Sequence, residues 1–318
     1  MKAATIMPEQ ETNMPVKELG FSISQGANWS NYLAYRPIYP ASFFNRIYEY
    51  HTQKPGAEWV MAHDIGAGCG IVSSTLATRF DKVIVSDPND GYTTLARKLL
   101  VEEASLPETK FRFLQEPAEK SSIDTGMVDM VTACECIHWT DPDTSIKEFG
   151  RELKAGGTLV ITHYTRPFIE GSEAAKRAWK AIWDAFSDRS RGKLYDRGFM
   201  IINNGLDCLG FPEKEWESVK RVYINAHGNI DAFVVNDRIG EDKVKPGEEK
   251  VWVEDDEDWC HMHGIEWFKA YLATWMPSIP ESELQEYWDG LELALEGKQV
   301  KTRTPVVMVF ATKKAEYT

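Results

Sequence analysis

The chain has 318 residues, 43% of them hydrophobic, with 36 basic residues against 49 acidic ones and a net charge of −13. This composition excludes disorder throughout and supports one large core or a core with a sizeable insertion. The negative field repels phosphates, so neither nucleic acid nor an anionic membrane is expected as a partner, and a small molecule is.

Five cysteines do not suggest a disulfide framework. The first fifteen residues lack the apolar run of a signal peptide. No stretch approaches the ~18 apolar residues of a membrane span. A cytoplasmic setting is expected.

Residues 1–20 are polar and aperiodic and read as a loose tail, followed by an aromatic-rich segment over 29–40 and a helix over 41–50. A buried strand is expected over 60–65, then glycines, then a helix over 72–80. The pattern repeats with a strand over 82–86 and a helix over 92–103. Further strands are expected over 111–114, 128–133 and 158–162, with a helix over 143–153 and a turn at Lys154-Ala155-Gly156-Gly157. Such alternation implies an α/β, doubly wound, mostly parallel sheet.

Beyond Thr162 the rhythm changes. Helices are expected over 173–187, 265–275 and 283–296, and strands over 218–225 and 305–312. The acidic run 254–258 reads as a solvated turn. Trp139, Trp179, Trp183, Trp252, Trp259, Trp267 and Trp275 read as core packing by default, several of them in a segment that could wall a pocket for a bulky or planar molecule.

The strand at 60–65 runs into Asp64-Ile65-Gly66-Ala67-Gly68-Cys69-Gly70. Gly66, Gly68 and Gly70 permit positive φ and remove the Cβ that would hold a ligand off the backbone. The third glycine is too close to the second for the dinucleotide pattern G-x-G-x-x-G, which argues against a nicotinamide-dependent oxidoreductase. With Asp64 leading, the turn suits a zwitterionic amino acid better than a diphosphate. Seventeen residues past Gly70, Asp87-Pro88 ends the second strand, where a carboxylate can accept hydrogen bonds from two ribose hydroxyls or serve as a turn residue. Ala133-Cys134-Glu135 closes the fourth strand at the same sheet edge.

With these motifs, the chain resembles class I S-adenosylmethionine-dependent methyltransferases. More narrowly it resembles the fungal trans-aconitate methyltransferase-like branch, through Tyr32-Leu33-Ala34-Tyr35-Arg36-Pro37-Ile38-Tyr39-Pro40, Met130-Val131-Thr132-Ala133-Cys134-Glu135-Cys136-Ile137-His138-Trp139 and Leu153-Lys154-Ala155-Gly156-Gly157. The resemblance implies a Rossmann-like fold and S-adenosylmethionine as cofactor. It places Asp87, with Pro88, at the ribose, Ala118 and Glu119 near the adenine, and Gly66 with the Ala133-Cys134 backbone and adjoining Glu135 along the methionine part. Tyr32 and Arg36 would approach the methionine carboxylate or the acceptor.

The organisation expected on this basis is a tail and lid helix over 1–55, a cofactor-binding core over 56–163, a substrate lid over 164–303 that includes the strand at 218–225, and a closing strand and tail over 304–318. The acceptor would be a small molecule, either a trans-aconitate-like carboxylate or the hydroxyl of a secondary metabolite. A relative that binds the cofactor without methylating is the alternative. Arg36 is suited to clamp a carboxylate, and His138 is the first candidate base for a hydroxyl, with His163 the second. Cys134-x-Cys136 and Cys260-His261-x-His263 are poorly spaced for a metal, and none is expected.

Overall fold

The computed structural model describes Phe21 and residues 27–315; the tail expected over 1–20 lies outside the described residues. In chain order the main elements are α1 (Trp29–Tyr35), α2 (Ala41–Thr52), β1 (Met61–Ile65), α3 (Ile71–Leu76), β2 (Lys82–Ser86), α4 (Tyr92–Arg97), β3 (Phe111–Leu114), β4 (Val128–Cys134), α5 (Pro142–Glu152) and β5 (Leu153–Tyr164). There follow β6 (Phe168–Ile169), α6 (Glu173–Arg189), α7 (Lys193–Ile202), β7 (Trp216–Ile224), β8 (Glu249–Val253), β9 (Cys260–His263), α8 (Ile265–Leu272), α9 (Gln285–Leu295), β10 (Val300–Arg303) and β11 (Val306–Lys313).

Eight strands form one sheet in the order β3-β2-β1-β4-β5-β11-β7-β8. β11 runs antiparallel to both its neighbours, and the other pairings are parallel. Strand order reverses between β1 and β4, so a crevice opens where their carboxyl ends diverge. All seven residues of β4 are buried, as expected for a strand covered on both faces.

Local chemistry sets the helix starts. Asp141 caps α5 by accepting from the Thr144 amide at 2.9 Å, with Pro142 at the first position, where a missing N–H costs nothing. Ser172 caps α6 through the Ala175 amide at 3.2 Å. The first segment contributes core as well as cover, because α2 buries Phe43, Phe44 and Ile47 with residues of β1, β2 and β11. A separate cluster joins Trp179, Trp183 and Phe186 of α6 to Phe268, Tyr271, Trp288 and Leu291 of α8 and α9.

Several expectations need correction. The helix at 72–80 is Ile71–Leu76 only, since the chain must turn before β2. The helix at 92–103 becomes a wide π-helical turn over Lys98–Glu103. β5 begins at Leu153, so Lys154-Ala155-Gly156-Gly157 lies within it as an irregularity beside β4. The helix at 265–275 stops at Leu272.

The charged stretch after Gly240 contains β8, an edge strand whose outward side chains, Glu249 and Lys250 among them, conceal it in the sequence. The acidic run 254–258 is not simply solvated. Asp256 pairs with Arg46 at 3.0 Å, and Asp255 with Arg303 at 3.0 Å, tying this turn to α2 and β10. β10 in turn joins β6 and β9 in a small second sheet that the sequence pattern did not reveal.

Candidate functional site

One cavity lies at the crevice between β1 and β4, and seven separate stretches of the chain wall it. Its floor is the turn after β1. Gly66 and Gly68 take φ of +60° and +55°, which L side chains rarely adopt. A Cβ on Gly66 would come within 2.8 Å of Cys136 Sγ, and one on Gly68 within 2.7 Å of the Trp29 ring. These glycines therefore admit other parts of the protein as well as a ligand.

Asp64 is buried at the end of β1. Its two oxygens accept from Ser73 Oγ at 2.6 Å and Thr132 Oγ1 at 2.8 Å, which binds the start of α3 to β4. Asp87, also buried, accepts from the Gly68 amide at 3.1 Å through Oδ2, and from the Asn89 amide at 2.9 Å and Asn89 Nδ2 at 3.0 Å through Oδ1. It holds the turn and lines the cavity at once. Burial pushes both carboxyls up to about 6.

Of the cofactor candidates, Tyr32, Arg36, Asp64, Gly66, Gly68, Asp87, Pro88, Ala118, Glu119, Cys134 and Glu135 line the cavity. Gly70 and Ala133 do not. Gly70 faces α4 and the π-helical turn after it, where a Cβ would come within 2.8 Å of Leu100, and Ala133 is wholly buried inside the sheet. Glu135 turns its carboxylate to the Tyr164 amide at 2.5 Å and to His163 Nδ1 at 3.1 Å.

Arg36 reaches the cavity from the end of α1. Its Nε donates to Thr274 Oγ1 at 2.7 Å and its Nη2 to the Thr274 carbonyl at 3.0 Å. The guanidinium lies over the Trp275 ring at 4.5 Å and the Tyr32 ring at 5.1 Å. Among the described residues this half-buried guanidinium forms no ion pair.

His138 follows β4 on a short turn, Ile137–Trp139, and lines the cavity. Its Nδ1 is buried and, among the described residues, unpartnered. Burial, then the neighbouring His163 and Arg36, hold the imidazole well below its usual pKa, so it is neutral. His163 lies behind the cavity wall against Glu135.

Of the wall beyond His138, the sequence singled out only Trp139 and Trp275. Trp139, Tyr195, Gly198, Phe199, Ile202, Trp275 and Met276 form it. Of the seven tryptophans singled out, only Trp139 and Trp275 face the cavity. Trp179, Trp183 and Trp259 are core residues, Trp267 stacks on Tyr271 at 4.8 Å and Trp252 on Tyr223 at 4.4 Å. Cys136 donates to the Ile65 carbonyl at 3.2 Å, and His263 stacks on Trp267 at 3.5 Å. Among the described residues no group of three or more acidic, cysteine or histidine side chains could hold a metal ion, and no helix is long and apolar enough to cross a membrane.

A doubly wound sheet with a glycine turn after β1, an acid after β2 and an antiparallel β11 beside β5 matches the class I methyltransferase architecture expected from the motifs. Residues 63–161 match the methyltransferase domain family. The chain is 34% identical over 332 residues to methyltransferase tpcM of Aspergillus fumigatus, covering 98% of each chain. It is 30% identical over 308 residues to methyltransferase cfoB of Aspergillus candidus, covering 90% of this chain and 94% of that relative. A proposed type II methyltransferase from Anaeromyxobacter dehalogenans shares the fold, with a TM-score of 0.58 at 18% identity over 86% of this chain and 97% of its own. The chain belongs to the S-adenosylmethionine-dependent methyltransferases.

Proposed function

We propose that this methyltransferase acts on a hydroxyl oxygen of a small, planar, largely apolar acceptor. The observation that carries the reading is His138, a neutral imidazole whose Nδ1 has no partner among the described residues, set on a cavity wall beside Trp139, Tyr195 and Phe199. Aromatic walls favour a flat apolar body, and one imidazole supplies the polar contact that orients it.

The residues at the other end of the cavity fit S-adenosylmethionine. Asp87 would accept from the ribose hydroxyls, with Pro88 beside it, and Ala118 and Glu119 would flank the adenine. Gly66, Gly68 and Cys134 would border the methionine part. The half-buried Arg36 guanidinium, which has no acidic partner among the described residues, would receive the methionine carboxylate, with Tyr32 covering it.

When bound, the cofactor supplies an electrophilic methyl on a sulfonium sulfur. The chain must then hold the acceptor oxygen in line with that methyl and keep water out. As the oxygen–carbon bond forms and the carbon–sulfur bond breaks, the acceptor proton passes to His138. A weakly basic imidazole suffices, because an oxygen that is gaining a methyl becomes a far stronger acid than imidazolium.

A second reading has support in Arg36: if its guanidinium serves the acceptor, the acceptor is a carboxylate and needs no base. Incubation with labelled S-adenosylmethionine and matched panels of phenols and carboxylic acids separates the two. Products from phenols that vanish in His138→Ala support the first reading. Products from acids alone would move the assignment to the second, and none from either panel would defeat both.

A further inference from the structure

Tyr195, Gly198, Phe199 and Ile202 lie on one face of α7 and line the cavity together. Gly198 is buried in the interior of this ten-residue helix. Glycine weakens a helix interior more than any residue except proline. The usual structural reasons for keeping one do not apply at this position.

The backbone of Gly198 is not left-handed, and a Cβ there would meet the His138 carbonyl at 3.5 Å and His138 Cδ2 at 4.0 Å, which is ordinary van der Waals contact. Alanine would therefore fit without moving anything, and would favour the helix. The contrast with Gly66 is direct, since a side chain there would collide with Cys136. What Gly198 provides is open space beside the one imidazole that faces the cavity.

We infer that Gly198 is a specificity-determining residue: its missing side chain leaves a flat bay, bordered by His138, Trp139, Tyr195 and Phe199, that accommodates the additional fused rings of a polycyclic hydroxylated acceptor. The inference rests on the planar hydroxyl acceptor proposed above and adds the size class. A ring system lying over Gly198 would present its hydroxyl to His138 while its far edge rests on the face of α7. A methyl group at this position narrows the bay, and a leucine fills it.

The test compares wild type, Gly198→Ala and Gly198→Leu with phenol, 2-naphthol and 2-anthrol as acceptors. Thermal unfolding and calorimetric binding of S-adenosylhomocysteine are measured alongside. Gly198→Ala is expected to keep or raise Tm and to leave S-adenosylhomocysteine affinity unchanged. Its kcat/KM should fall about tenfold or more for 2-anthrol, mainly through KM, while phenol changes little; a methylene-sized change in an apolar pocket commonly has an effect of that order. Gly198→Leu is expected to lose the two larger acceptors and still bind S-adenosylhomocysteine.

If wild type uses these acceptors and Gly198→Ala keeps the same preference among them, the inference fails while the hydroxyl reading stands. A fall in Tm on alanine substitution would also overturn it, by showing that the glycine serves helix packing. If wild type neither binds nor methylates any of the three, the planar acceptor itself is wrong and the inference falls with it.

Discussion

The Asp87 carboxylate accepts the Gly68 amide at 3.1 Å, so the acid that ends β2 and the glycine turn that ends β1 form one unit. Asn89 holds the other oxygen of Asp87 through two further hydrogen bonds. An acid fixed in this way would meet ribose hydroxyls with little reorganisation. Asp87→Ala is expected to weaken S-adenosylhomocysteine binding by about 1.5–3 kcal/mol, roughly 10- to 150-fold in Kd, measured by calorimetry. Unchanged affinity would reduce Asp87 to a turn residue.

The same burial gives binding a pH dependence. Asp87 is raised from 3.8 to about 6, and protonation removes acceptor capacity that the ribose hydroxyls would use. S-adenosylhomocysteine affinity is expected to fall as pH drops from ~7 to ~5, and the Asp87 component of that fall should be absent in Asp87→Asn. Folding responds with the opposite sign. Because the folded pKa values of Asp64 and Asp87 are raised, their contribution to stability is fully present below 3.8 and is lost as pH rises through about 6. Urea unfolding of Asp87→Asn and wild type across this window tests the second half of the expectation.

The floor of the cavity was legible in the sequence because its signals are local: a strand-end acid, closely spaced glycines and a second acid one strand later. The wall beyond His138 was legible only in Trp139 and Trp275. Tyr195, Phe199 and Ile202 repeat at helical spacing, as core residues do, and α7 itself was not recognised. Trp275 and Met276 reach the cavity only because the chain leaves α8 early, which also presents Thr274 to Arg36. Gly70 lies off the cavity lining for a related reason: its close neighbour is Leu100, thirty residues away in the chain, and no motif records that contact.

Gly66 separates backbone strain from collision. At Gly66 a side chain meets both a positive φ and Cys136, whereas at Gly126 the φ of +69° stands alone, with nothing within 4 Å of an added Cβ. Gly126→Ala is expected to cost about 1–2 kcal/mol, the usual penalty of a left-handed L residue. Gly66→Ala adds overpacking and should cost about 2–5 kcal/mol. Equal losses in urea unfolding would mean that Cys136 moves aside freely.

Arg36 can be tested by trimming the ligand as well as the protein. Arg36→Met is expected to raise the Kd for S-adenosylhomocysteine by roughly 10- to 150-fold, the range for hydrogen bonds to a charged group. Methylthioadenosine, which lacks the amino-acid carboxylate, should bind both proteins alike. If neither affinity moves and a carboxylic acid acceptor loses KM instead, Arg36 belongs to the acceptor. Because Arg36 also anchors α1 to Thr274, Tm is measured for the same variant.

His138 should separate turnover from cofactor binding. His138→Gln keeps a polar side chain of similar reach but cannot take a proton, so kcat for a phenol acceptor is expected to fall by roughly 10²- to 10⁴-fold, the usual range for general base catalysis. S-adenosylhomocysteine affinity should be unchanged, since the proposed function sets the imidazole on the acceptor side. Its pKa is held well below the ordinary histidine value by burial, His163 and Arg36, so the neutral form persists as pH falls from 7 to 6. Activity lost over that interval should therefore follow Asp87 and disappear at saturating S-adenosylmethionine. A kcat that still titrates near 6.5 in wild type, and loses that titration in His138→Gln, would show that the buried imidazole ionises far more readily than its surroundings imply.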